Sequence, residues 1–406
     1  MKQNTIRNTL SCSNKIAGIL NCFDMKKYFS LINSSVYQVN GITRLIKLGV
    51  PLLLILTGSM VFNSCKLFSK KKVATQKVAL FYPSEPDTAR YQYLTKITHS
   101  GDLGKKTSFF RKLIIGEERG RIMSKPYGIA IFQGKIFVCY MYGGPIDVID
   151  LVKKKMYFFT PRGRGELKTP INCFVDEKGY LYVADAGRKQ VVVFNNNMEY
   201  VKFIGLKEDF KPTDVAVYDG KVFIANEAAE KINVFSNDSI SKLLYSFPNA
   251  DVMSPAFLGL PVNLAIGNNK IYVADFGYSK IKIYKTDGTF LDTIGSRGNG
   301  LGQFAKLKGI AVDKEENVYA VDGAFENVQI FNKAGQLLMP LGGHYDGPGG
   351  LYLPAKVIVD YDNLKYFQQY VDPQYDLKYL VIVTSQYGPD LINIYGRVEM
   401  KKKTGQ

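Results

Sequence analysis

The chain has 406 residues, 46% hydrophobic and 22% charged, enough apolar material for one large core or two moderate ones and too much for a disordered chain. Its 53 Lys and Arg exceed its 36 Asp and Glu for a formal charge of +17, which would suit a nucleic-acid partner only if it were spread over a folded surface. Two histidines, His99 and His344, and five cysteines without a Cys-x-x-Cys pair exclude a three-His zinc site, zinc fingers, haem attachment and thioredoxin-like redox chemistry.

Residues 1 to 77 hold twelve basic residues and one acid, Asp24, for a net of +11. Arg44 and Lys47 lead into an apolar run from Leu48 to Phe62, followed by Asn63, Ser64 and Cys65. Such a run, interrupted by Pro51, is too short to cross about 30 Å of hydrocarbon as a helix. Basic residues, a short apolar run and small residues before a cut describe a secretory signal. Cys65 directly after that run resembles the Cys of a bacterial lipobox, which implies acylation of Cys65 as the first residue of the mature protein. Phe62 and Asn63 depart from the usual lipobox residues, and an ordinary secretory signal is the alternative. Acyl chains contributing about 0.8 kcal/mol per buried CH₂ would hold the protein at a membrane without a spanning helix. The segment before Arg44 is long for a basic leader, so translation is expected to start at Met25 or later. Residues 1–64 are thus read as signal and upstream segment, and 65–77 as a lipidated, basic tether. Lys66 is not the Asp that retains such lipoproteins in the inner membrane, so an outer-membrane anchor facing the periplasm is expected.

Beyond the tether, Arg90 to Ile97 alternates as a strand should, and Ser108 to Ile115 reads as one short helix with Thr107 as its N-cap. Six similar segments follow, beginning at Pro126, Pro170, Pro212, Pro261, Leu307 and Pro354, with spacings of 44, 42, 49, 46 and 47 residues. Each opens with a strand such as Pro126-Tyr-Gly-Ile-Ala-Ile or Pro261-Val-Asn-Leu-Ala-Ile. A second strand follows, as in Tyr180-Leu-Tyr-Val-Ala-Asp and Lys270-Ile-Tyr-Val-Ala-Asp, and then a third, as in Ile281-Lys-Ile-Tyr. The fourth is clearest at Thr289-Phe-Leu-Asp-Thr-Ile. β-Branched and aromatic residues fill these runs and Gly, Asn and Asp separate them. A period of 40 to 50 residues with short strands is that of β-propeller blades.

The Pro-x-Gly-Ile-Ala-Val opening, the Tyr-Val-Ala-Asp strand and the linker Gly295-Ser-Arg-Gly-Asn-Gly-Leu-Gly-Gln-Phe304 resemble the NHL repeat, best from blade 4 into blade 5. The resemblance covers about residues 78–396 and implies an all-β, six-bladed β-propeller of four-stranded blades. Blade 6 reaches Gly396 after its third strand, and a free sheet edge there would be a pairing hazard. The strand Arg90–Ile97 is therefore expected to close the ring by pairing with Ile392–Tyr395. This gives 24 strands, one short helix before blade 1, and a long loop from Asp362 to Asp376, with 397–406 as a basic tail. The tail carries +3, which leaves +3 on the propeller body. That is no nucleic-acid footprint.

In propellers the beginnings of the innermost strands line one mouth of the axial channel. The second position after each opening residue gives Gly128, Asn172, Asp214, Asn263, Gly309 and Lys356. Asn172, Asp214, Asn263 and Lys356 are the candidate ligand-binding set, similar in type to the cation ligands of gluconolactonase-like propellers. Lys356 would oppose a cation, and water or neighbouring backbone satisfying these groups is the competing reading. Asp185, Asp275 and Asp322 end second strands at equivalent places and read as turn caps. Tyr140, Tyr142, Phe276, Tyr278, Phe325 and Tyr387 fall in loops between second and third strands, which share one face, and are the candidates for an interaction surface. Arg162, Arg164, Arg188 and Arg297 are basic loop residues suited to an anion. Cys139 and Cys173 lie in apolar strands, where buried free thiols are expected although an export compartment permits a disulfide.

No acid, base or nucleophile constellation is evident. The expected function is that of a monomeric, membrane-anchored binding or scaffolding propeller of a bacterial envelope, with an envelope protein or small ligand as partner. The stretches Tyr82-Pro-Ser-Glu-Pro-Asp-Thr-Ala-Arg90 and Val383-Thr-Ser-Gln-Tyr-Gly-Pro-Asp-Leu-Ile-Asn-Ile-Tyr395 resemble envelope propeller lipoproteins, which implies an accessory role beside a redox complex. No cofactor or metal is expected. The alternative is a lactonase or lyase with a divalent cation, Ca²⁺ above all, at the channel mouth.

Overall fold

Short apolar runs ended by residues that tolerate a left-handed backbone fold as antiparallel hairpins. Gln133-Gly134, Asp219-Gly220 and Asn268-Asn269 turn blades 1, 3 and 4 with φ positive at both residues, the turn geometry that matches the right-handed twist of paired strands. The structure, a computed structural model, describes residues 79–84, 86–104 and 122–402. The expected helix over Ser108–Ile115, its Thr107 cap, the Cys65 lipid site and the tether lie outside those residues.

The described residues form six sheets, five of four strands and one of five. Their innermost strands are Pro126–Phe132, Pro170–Val175, Pro212–Tyr218, Pro261–Gly267, Leu307–Val312 and Pro354–Asp360. All six begin at the residues the repeat predicts. Proline suits the first position of a strand, where its missing N–H is least costly. The inner strands touch in cyclic order, blade 1 to blade 6 and back to blade 1, so the fold is a closed six-bladed propeller.

Six hydrophobic clusters fill the six blade interfaces. Each draws on adjoining blades, as where Phe223 and Val234 of blade 3 meet Ile271 and Tyr284 of blade 4. Burial of such side chains stabilises by roughly 1.5–3 kcal/mol each, so the apolar periodicity of the strands holds the ring together blade by blade.

The ring closes as the unpaired edge of blade 6 requires. Tyr91–Ile97 pairs antiparallel with Ile392–Met400, setting Tyr93 opposite Tyr395 and Ile97 opposite Ile392. Leu94 and Ile97 then enter the cluster between blades 6 and 1. A two-residue strand, Phe81–Tyr82, adds outside it, making 25 strands among the described residues rather than 24. The third strand of blade 6 runs to Met400, because Tyr375–Leu377 prolongs its partner; four residues read as tail are therefore sheet. The long loop of blade 6 holds two short 3-10 turns, Leu364–Tyr366 and Gln368–Tyr370. Phe367 between them is buried in the closing cluster. Among the described residues no helix is long and apolar enough to cross a membrane.

Candidate functional site

The third residue of each inner strand, two after the opening residue, lies where adjoining blades pack closely. A Cβ added to Gly128 would lie 2.5 Å from the Asn172 Cα, and one added to Gly309 would lie 2.6 Å from the Ala355 carbonyl and the Lys356 Cα. Glycine in blades 1 and 5 is thus what lets the next strand pack.

Asn172, Asp214, Asn263 and Lys356 are all buried, and three of them bond to one another. Asp214 Oδ2 accepts from Asn263 Nδ2 at 2.6 Å, from the Leu264 amide at 2.9 Å and from Lys356 Nζ at 2.9 Å. Its Oδ1 accepts from the Val215 amide, and Asn263 Oδ1 accepts from the Ile310 amide. Asp214 belongs to blade 3 and Lys356 to blade 6, so this ion pair spans the axis between opposite blades. Burial pushes the Asp214 carboxyl up, and the Lys356 ammonium and the amides pull against that shift. Asn172 sits in the same layer without joining the group. Its Oδ1 accepts from the Cys173 amide, while its Nδ2 has no hydrogen-bond partner.

This donor set does not fit a divalent cation. The Asp214 carboxylate faces an ammonium and an amide N–H₂, and Asn263 turns its oxygen to a neighbouring strand. Among the described residues no three His, Cys, Asp or Glu side chains converge on a metal position. On the far side of the ion pair lies an axial cavity of about 380 Å³ with Lys356 in its lining. All six inner strands line it, and Asp176, Glu177, Tyr218, Tyr361 and Asp362 stand at its opposite end.

The strand-ending aspartates are turn caps. Asp185 accepts from the amides of Lys168, Thr169 and Arg188, Asp275 from Gly259 and Leu260, and Asp322 from Ala305, Lys306 and Ala324. Each carboxylate ties the loop entering its blade to the loop after its second strand. Cys139 and Cys173 are buried free thiols.

The loop aromatics are spread around one face of the ring. In blades 1 and 6, Tyr142 and Tyr387 are exposed and flank the Lys125 ammonium, 4.9 and 5.2 Å from the ring centroids. Tyr140 turns inward to hydrogen-bond Asp147. On blade 4, Tyr278 packs over Lys282 at 4.5 Å and against Phe257, while Phe276 is half-buried. Phe325 on blade 5 is also half-buried. Arg188 bonds the Arg164 carbonyl, and Arg297 the Gly277 carbonyl, so both brace loops. Of the six, Tyr142, Tyr387 and Tyr278 are exposed, the first two paired around Lys125 and the third on blade 4, so they do not form a six-residue patch.

Sequence reasoning missed Lys308. It occupies the position just before the axial layer in blade 5, a column otherwise filled by Tyr127, Ile171, Thr213, Val262 and Ala355. Its Nζ lies 3.3 Å from Gln386 Oε1 and 6.0 Å from the Tyr127 ring centroid. Burial, together with repulsion from Lys306, lowers its pKa to about 8. A single lysine in an apolar column was the available signal.

Comparison with known proteins agrees with this architecture. Residues 257–332, blades 4 and 5, match the DUF5128 family, described as a 6-bladed beta-propeller. No curated protein matches the sequence. A solved protein of unknown function from Bacteroides thetaiotaomicron is 15% identical, with a TM-score of 0.54 over 76% of each chain. Virginiamycin B lyase from Staphylococcus aureus is 10% identical, with a TM-score of 0.46 over 75% of this chain and 88% of its own. The class defined by fold and comparison is the six-bladed β-propeller.

Proposed function

We propose that this protein is a lipid-anchored binding propeller of a bacterial envelope, NHL-like in its repeats, held by Cys65 and presenting the face that carries Lys125, Tyr142 and Tyr387 to a protein or small ligand. The observation that carries the binding reading is the ion pair between Asp214 and Lys356. It occupies the axis with an ammonium where a lyase or lactonase of this kind would need a cation. Asp214, Asn263 and Lys356 satisfy one another there, so none of these three stands free as a base or nucleophile. The anchor rests on Cys65 after a short apolar run, and an outer-membrane address rests on Lys66.

Mass spectrometry of the protein purified from membranes, with metal analysis of the same sample, tests this reading. The expected result is a mature chain beginning at acylated Cys65 without stoichiometric Ca²⁺ or Zn²⁺. A stoichiometric metal lost on Asn263→Ala or Asn172→Ala would overturn the binding reading in favour of the enzyme. An unmodified Cys65 would overturn the anchor.

A further inference from the structure

Lys282, Lys308 and Lys356 are the buried lysines among the described residues. Two of them have carboxylate partners: Lys282 lies 3.3 Å from Asp275, and Lys356 lies 2.9 Å from Asp214. Lys308, 6% exposed, has no described carboxylate within salt-bridge distance and only the neutral Gln386 oxygen as an acceptor. An ammonium withdrawn from water without a counter-ion is held at a cost that its surroundings must offset. The Gln386 amide is oriented for this contact, since its Nε2 is turned towards Met141 Sδ at 3.1 Å. Room for the lysine stem comes from Gly323, where an added Cβ would lie 3.0 Å from Lys308 Cε; equivalent loop positions hold Met141, Ala186, Glu227, Phe276 and Gln386.

A second orphan donor stands across the ring. Asn172 is fully buried, and its Nδ2 lacks any hydrogen-bond partner. Blades 2 and 5 are opposite one another, and Asn172 and Lys308 lie in consecutive layers of the inner strands. Asn172 lies in the layer of the Asp214–Lys356 pair and Lys308 in the layer beside it, so this end of the axis holds an N–H donor without an acceptor and an ammonium without a carboxylate. The missing component is negative and has oxygen lone pairs.

We infer that this end of the axial channel is an oxyanion-binding site, in which Lys308, supported by Gln386 and Tyr127 and with the unpartnered Asn172 amide in the adjoining layer, receives the carboxylate or phosphate group of a small ligand. The site deepens the binding reading by giving the ligand a chemistry. It does not depend on the anchor, so unmodified Cys65 would sink the anchor and leave the site standing.

The test is the thermal stability of detergent-solubilised full-length protein in sodium acetate, sodium phosphate or sodium chloride at equal ionic strength. Acetate or phosphate is expected to raise Tm over chloride by about 2 °C once its concentration is roughly ten times its Kd, and the anion with the lower Kd identifies the ligand as carboxylate or phosphate. Gln386→Glu supplies the absent counter-ion from within. It should raise Tm in chloride and weaken the anion response at least tenfold. Lys308→Met should abolish the response. Equal Tm in all three salts, a response retained within twofold in either variant, or a Gln386→Glu protein less stable than wild type in chloride would overturn the site.

Discussion

Asp214 and Lys356 are 142 residues apart in sequence and meet at 2.9 Å on the axis. Removing one partner of such a pair leaves a buried uncompensated charge, whereas neutralising both removes the problem. Lys356→Met should therefore lower unfolding free energy by roughly 3–5 kcal/mol. Adding Asp214→Asn, which removes the charge and keeps an oxygen for one of the Val215 and Leu264 amides, should recover at least half of that loss in denaturant unfolding. A double variant as unstable as the single one would show that Lys356 is not neutralising Asp214. Lys308 has the opposite signature. Its folded pKa of about 8 lies below the ordinary 10.5, so between these values the unfolded chain binds more protons and stability rises with pH. Relative to Lys308→Met, the wild type should gain on the order of 3 kcal/mol between pH 7 and 10.5. Equal pH profiles for the two proteins would show that Lys308 is not held charged in a desolvated place. At this scale the sequence was legible only in part. The second position of each opening segment pointed to Asp214, Asn263 and Lys356, but not to their mutual bonding, because contact between blades three repeats apart leaves no local pattern. Lys308 escaped notice because its column is otherwise apolar or weakly polar.

Strands were far more legible than side chains. Inner strands start where Pro or Leu opens a run of alternating apolar residues, because proline tolerates the first strand position and few others. The closing strand was readable from two facts together, a blade with three strands and an orphan alternating run at Tyr91–Ile97. Phe81–Tyr82, at two residues, has too little pattern to announce itself, and the extension to Met400 depends on how far its partner continues. If closure is what completes the core between blades 6 and 1, Leu94→Ala should cost about 2–5 kcal/mol. Leu244→Ala, at a residue 45% exposed on an outer strand, should change stability by no more than about 0.5 kcal/mol. Chemical denaturation of both variants checks this, and equal losses would mean that the N-terminal strand is not an integral part of the ring.

For the whole molecule, the charge of +17 resolves into parts with different meanings. Most of it precedes residue 78, in segments read as signal and tether, and the propeller keeps little net charge. Lys125, Lys306 and Lys308 stand at or near the mouth where the inner strands begin, while Asp176, Glu177 and Asp362 stand at the other. On the proposed binding reading one such face takes the partner, and Tyr142 and Tyr387 around Lys125 mark which. Site-specific photo-crosslinking in intact membranes tests this most directly, with the crosslinker placed at Tyr142 or Tyr387 on one face and at Tyr361 on the other. A discrete adduct from the first two positions and none from Tyr361 is the predicted result; adducts from Tyr361 alone, or from no position, would contradict it.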